Sequence, residues 1–191
     1  MGRLCSGRKG SKTAILSAAL GYPGDGYLAY GGIAASFLSV LCIVLTELIG
    51  PETKAKLVYW RWKHALPGCQ AFTKYGPSDP RVDMAKVRRR LGNKLPTDPD
   101  DQNRKWYALY KTVRNELGVS DAHKAYLLLR DYTFLAWLFL LFCPAVALKQ
   151  GASQETIPYY AAALLLQVAL VSRSAAVSGR RLVTTVLASI S

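Results

Sequence analysis

The chain has 191 residues, of which 51% are hydrophobic, and its 25 Lys and Arg against 12 Asp and Glu give a formal charge of +13. So much apolarity beside so much charge excludes one soluble core of ordinary composition and fits an alternation of lipid-facing and water-facing segments. Residues 1–26 carry +3, 27–52 carry −2, 53–131 carry +9 and 132–191 carry +3, which concentrates the excess in the middle.

Residues 1–26 form an N-terminal segment with Arg3, Arg8, Lys9 and Lys12. Its short apolar stretch, Thr13–Leu20, runs into Gly21-Tyr22-Pro23-Gly24-Asp25-Gly26 and not into a cleavage site, so no secretory signal is evident. From Tyr27 to Ile49 the only charge is Glu47, and 23 residues at about 1.5 Å each suffice for about 30 Å of hydrocarbon. Residues 27–49 are the first expected transmembrane helix. Gly31, Gly32, Ala34, Ala35, Ser36 and Ser39 give it a small-residue face suited to close helix approach. Gly50-Pro51 breaks it, and a new helix is expected near Glu52.

Residues 50–131 form the expected basic helical domain. Lys56 to His64 interleaves aromatic and basic side chains, which suits either a helix at the headgroup level or a strip for base stacking and phosphate contact through Trp60 and Trp62. Asp79-Pro80 predicts a helix start and Gly92 its end. Met84, Val87 and Leu91 mark the apolar face, and Arg81, Lys86, Arg88, Arg89 and Arg90 the basic one. Asp98-Pro99 opens the next helix, in which Trp106, Leu109, Tyr110, Val113 and Leu117 recur at spacings of three and four and need a partner to bury against. Ser120 is the expected cap of a further helix running from Asp121 to about Leu148, from the basic domain into lipid.

Residues 132–177 are expected as a transmembrane hairpin: Tyr132–Leu148 without charge, a short connection, then Ile157 to about Val177, in which Arg173 can reach the interface. Residues 178–191, with Arg180-Arg181, are expected as a C-terminal surface tail. The fold class is therefore all-α integral membrane, with three transmembrane helices and the basic domain inserted between the first and second. The 17 Lys and Arg of 53–131 place that domain on the cytoplasmic side. Residues 1–26 are then outside, or folded back against the assembly.

Chemistry is sparse. No Gly-rich phosphate loop, nucleophile elbow or metal-ligand cluster is apparent. Cys5, Cys42, Cys69 and Cys143 show no zinc or redox spacing and read as unpaired thiols. His64 and His123 read as ordinary exposed residues, and the carboxylates of Asp98, Asp100 and Asp101 belong to a helix's first turn. No enzymatic activity, cofactor or metal is expected. Glu47 and Gln167 are polar groups that avoid lipid and so should face an interface or a water-filled path; three helices enclose no channel alone, so a pore requires a homo-oligomer.

A few transmembrane helices joined to a small basic domain, with Lys74-Tyr75-Gly76 through Asp79-Pro80-Arg81-Val82-Asp83 as the most signature-like stretch, resembles the compact transmembrane effectors of bacterial anti-phage signalling systems, CBASS-type or Hailong-type. The resemblance implies an inner-membrane protein, most naturally an ion channel. An anionic nucleotide or oligonucleotide, made by a nucleotidyltransferase encoded alongside, would control it. The resemblance itself assigns no residue; the basic and aromatic pattern of the domain makes Arg81, Arg88, Arg89, Arg90, Arg104, Lys105, Lys111 and Arg114 the expected phosphate contacts and Trp60 and Trp62 the expected stacking groups. The competing expectation is a non-channel scaffold whose basic face lies on anionic lipid of the bilayer and recruits a protein partner.

Overall fold

The computed structural model describes residues 25–92 and 94–191, so nearly all of the expected N-terminal segment lies outside the described residues. Among the described residues every regular element is helical. The chain divides into two compact units, residues 1–45 and 46–191.

The described part of the first unit, residues 25–45, lies on α1 (Asp25–Leu48). Phe37, Val40 and Ile43 are exposed apolar side chains along it. Most of the small-residue face falls among side chains that are not described.

In the second unit, α2 (Pro51–Tyr59) begins at the predicted proline. It stops where Trp60 turns left-handed (φ 54°) and its amide donates to the Lys56 carbonyl. Lys54, on α2, is almost wholly buried and pairs with Asp131. A string of short helical turns follows: a 3-10 turn at Pro67–Gln70, a π turn at Ala71–Tyr75 and one α turn at Gly76–Ser78. Such turns leave amides without helical partners, and a buried amide left unpaired is costly. Gln102 meets that need from the later helix Pro99–Val113, its Oε1 accepting from the Phe72 and Thr73 amides at 3.1 and 3.2 Å while its own Nε2 donates to the Thr97 carbonyl.

α3 (Met84–Leu91) corrects the first expectation. Asp83, not Asp79, caps it, accepting from the Ala85 and Lys86 amides. Asp79 is engaged by Arg81, whose Nη2 lies 2.7 Å from its Oδ2, so its carboxylate is not free to cap. α4 (Pro99–Val113) starts as predicted, with Asp98 accepting from the Asp100 and Asp101 amides. Trp106, Leu109 and Val113 are buried and Tyr110 packs against them, whereas Leu117 is exposed.

α5 (Leu117–Lys149) begins three residues before the expected Ser120, directly after Glu116, and has no side-chain cap. It runs uninterrupted through Pro144. α6 (Thr156–Ser189) is its partner, and the two pack along each other. Both are long and apolar enough to cross a membrane by length and composition. Their outer faces carry Leu141, Phe142, Leu165, Leu166 and Leu170, all exposed; a continuous apolar surface of this kind calls for an apolar environment.

The larger correction concerns residues 178–191. They are no surface tail. α6 continues to Ser189, and Leu182, Val183, Val186 and Leu187 are at most 3% exposed. They form the centre of a cluster with Ala71, Phe72, Tyr75, Val87, Trp106, Leu109, Val119, Ala122 and Tyr126. The spacing Leu182, Val183, Val186, Leu187, Ile190 is itself a helical stripe, and it fills the space that the Trp106–Val113 stripe leaves open. The basic domain thus extends beyond 50–131 and includes about the last three turns of α6. Each of α5 and α6 is one rod with a packed end inside this domain and an apolar end outside it.

Candidate functional site

Four cationic side chains from three segments line one cleft of about 410 Å³: Arg61 after α2, Lys74 in the π turn, and Arg173 and Arg180 on α6. The two arginines on α6 are seven residues apart, or about two turns, and so share a face. Tyr59, Trp60 and Tyr75 supply aromatic wall, and no Asp or Glu lines the cleft. The Arg180 guanidinium carbon lies 5.5 Å from the Tyr75 ring centroid, which orients it by cation–π contact. Ser172 also lines the cleft, and its buried hydroxyl has no hydrogen-bond partner.

Gly179 brings these elements together. A Cβ there would meet the Tyr59 hydroxyl on α2 and, at 2.9 Å, the Tyr126 ring on α5. Only the missing side chain lets both helices lie against α6 at this level. The cleft sits on α6 where its apolar half gives way to its packed half.

Among the described residues none of the four cations has a carboxylate partner. Like charges collected in one concavity repel one another and focus a positive field, and an anion entering the cleft relieves that repulsion. Phosphate oxygens suit the donor set, because guanidinium groups bind them in bidentate fashion and a serine hydroxyl adds a further donor. Aromatic walls add a stacking surface for a base or an apolar contact for a lipid. A neighbouring groove of about 380 Å³, formed by Thr53, Lys56, Leu57, Trp60, Trp62 and Trp137, shares Trp60 with the cleft.

The residues predicted to contact phosphate are placed differently. Arg81 forms a two-point contact with Asp79 and also donates to the Thr184 hydroxyl at 3.1 Å; Arg81 beside it holds the Asp79 carboxyl well below the usual range. Arg90 donates to the Ile190 carbonyl at 3.2 Å and so closes the end of α6. Arg104 pairs with Asp101 and Lys111 lies over the Tyr107 ring. Arg88, Arg89, Lys105 and Arg114 are exposed. Trp60 lies in both cavities, while Trp62 lines only the groove. Glu47 is exposed, and Gln167 donates to the Tyr132 hydroxyl at 2.8 Å, joining α6 to α5 within one chain.

No family model, characterised protein or solved structure matches the chain. The site therefore stands on its own geometry. Lys74 stands in the signature-like stretch, Arg180 in the Arg180-Arg181 pair and Arg61 in the Lys56 to His64 strip, but nothing in the sequence joins them into one site, because more than a hundred residues separate Arg61 from Arg180 and no spacing rule links them. Arg173 was legible only as a side chain reaching from a membrane end.

His64 and Asp100 also meet, with Nδ1 3.0 Å from Oδ1. Cys42, Cys69 and Cys143, the described cysteines, are free thiols. Burial, with the Asp100 carboxylate nearby, pushes the Cys69 thiol pKa up.

Proposed function

We propose that this chain is an oligomeric inner-membrane effector that takes a phosphate-bearing nucleotide or oligonucleotide in the Arg61–Lys74–Arg173–Arg180 cleft and converts its presence into an ion conductance. The observation that carries the reading is the position of the cleft on α6: two of its cations belong to a helix that continues without a break into an apolar span. A ligand drawing Arg173 and Arg180 towards Arg61 and Lys74 would bias the tilt of that rod, and a helix passes such a bias along its length. α1 would be the third span, and the basic domain would face the cytoplasm, as the excess of Lys and Arg favours. The anti-phage effectors that the chain resembles work by this division of labour.

The test is ion flux from vesicles reconstituted with the purified protein, with a panel of cyclic dinucleotides and short oligonucleotides added outside. Flux that appears with one ligand and disappears on Arg173→Glu is expected. Vesicle binding without flux, whatever is added, would overturn the channel.

A second reading has one specific observation in its favour. The tryptophan-lined groove adjoins the basic cleft, so one molecule with an anionic head and an apolar tail could occupy both. That is a scaffold on anionic lipid. Copurification of a stoichiometric anionic phospholipid, lost on Arg173→Glu, would favour it.

A further inference from the structure

A second constellation lies outside the cleft. His64, Cys69 and Asp100 each offer one donor atom, and the three atoms lie within 4.8 Å of one another. They come from separate segments: the loop after α2, the 3-10 turn and the first turn of α4. Nitrogen, sulfur and carboxylate oxygen are the donors of zinc, which holds them at about 2.0–2.3 Å and thus about 3.3–3.6 Å apart in a tetrahedron. About 1 Å of closure completes that geometry. The side chains of His64 and Asp100, 44% and 71% exposed, are the ones able to move.

The surroundings hold the backbone that carries these donors in place. His64 is left-handed at φ 48°, a conformation that is uncommon for a residue with a side chain and needs support from its contacts. Cys69 is 3% exposed, and its amide donates to the Leu66 carbonyl at 3.1 Å. The turn that carries it is pressed on α4: a Cβ at Gly68 would meet the Asn103 side chain and, at 2.8 Å, the Trp106 ring. Asp98 accepts from the Asp100 amide at 3.0 Å and fixes the start of α4. In a chain of charge +13, Asp98, Asp100 and Asp101 make this turn locally acidic. Asp98 is used as a cap and Asp101 pairs with Arg104, which leaves Asp100 for His64.

We propose that His64, Cys69 and Asp100 form a zinc(II) site with a water in the fourth position, stapling the 60–70 loop to the start of α4. The sulfur donor selects a borderline metal over magnesium or calcium, and the exposed side of the site admits the water. The bond to Cys69 forms with loss of the thiol proton to solvent. Because Arg61 and Trp60 stand on the same loop, the staple also holds one wall of the cleft. The proposal does not depend on what the cleft binds.

The experiment strips the full chain in detergent with chelator, reloads it with excess zinc(II), desalts it and measures the zinc held per chain. Wild type is expected to retain about one equivalent of zinc, and Cys69→Ser and Asp100→Asn less than about a tenth of that, in line with the loss of a ligand. Cobalt(II) in place of zinc is expected to give a thiolate-to-metal charge-transfer band, and the band should persist when Cys5, Cys42 and Cys143 are all replaced by Ser. That variant keeps the test valid if Cys69→Ser fails to fold. A chain that holds no zinc after desalting, or gives no thiolate band with Cys69 as its only cysteine, would reduce the His64–Asp100 contact to a hydrogen bond and overturn the site.

Discussion

Lys54 Nζ lies 2.9 Å from Asp131 Oδ1, and the lysine side chain is only 4% exposed. The pair joins α2 to α5 just before the apolar part of α5, and Arg130 also reaches Asp131 Oδ1 at 2.9 Å. A buried cation is tolerable only while its partner remains, and removing one partner of a buried pair costs about 3 kcal/mol or more. Replacing the cation with an apolar side chain of similar length removes the burden along with the attraction. Asp131→Asn is therefore expected to lower the detergent-state stability by about 3 kcal/mol and Lys54→Met by about 1 kcal/mol. Thermal unfolding of both variants checks this; equal losses would contradict the burial argument.

Gly179 makes a prediction of opposite sign to helix propensity. In an exposed helix interior, Gly→Ala gains up to about 1 kcal/mol. Here the added methyl would press on the Tyr59 hydroxyl and the Tyr126 ring. Overpacking of this kind costs about 1–3 kcal/mol, so a net loss of about 1 kcal/mol is expected. Gly179→Ala should lower the unfolding midpoint, and it should also weaken ligand binding, since Tyr59 lines the cleft. A rise in the midpoint would show that α2 and α5 can step away from α6.

The physical reason for what the sequence conceals is visible in particular residues. Asp98 could be read as a cap because Pro99 follows it and no cation competes for it. Asp79 has the same Asp-Pro signature, but Arg81 two residues on takes its carboxylate with charge-assisted hydrogen bonds, and the capping role passes to Asp83. Trp106, Leu109, Tyr110 and Val113 could be read as a buried stripe; that their partner is Leu182–Ile190 could not, because local periodicity carries no information about distant pairing. The span-forming stretches of α5 and α6 were legible from composition, which is all that lipid demands. The cleft was not, since it arises only when α2, the π turn and α6 converge.

Asp79 and Arg81 yield a pH dependence. The Asp79 carboxyl titrates well below its ordinary value, first because of the hydrogen bond from the Arg81 side chain. A carboxylate whose pKa is lower in the folded chain contributes stability that is fully present above the unfolded value, near 3.9, and is lost as the pH falls towards the folded one. Arg81 is more than half exposed, so solvent limits the contribution to about 1 kcal/mol. Asp79→Asn is expected to cost that much at pH 7 and progressively less below about pH 4. Urea unfolding at pH 7 and pH 3.5 measures the difference; a cost that did not shrink with acid would assign the loss to packing around Thr184.

The two basic surfaces make competing claims on a phosphate ligand, and their local partners decide between them. Arg81 is occupied by Asp79, Arg90 by the Ile190 carbonyl and Arg104 by Asp101, so an incoming phosphate would have to displace contacts already made. The cleft has no carboxylate to displace. Arg173→Glu places a negative charge where a phosphate would sit and is expected to weaken binding of a fluorescent oligonucleotide at least about tenfold, or about 1.4 kcal/mol. The logarithmic salt dependence should also flatten by about 0.7 for the lost contact with a single strand. Arg88→Glu with Arg89→Glu should change affinity less than about threefold, since removing exposed, unlocalised charge weakens only the long-range field. The reverse order of effects would move the binding surface to α3 and leave the cleft as the place where α6 enters the packed domain.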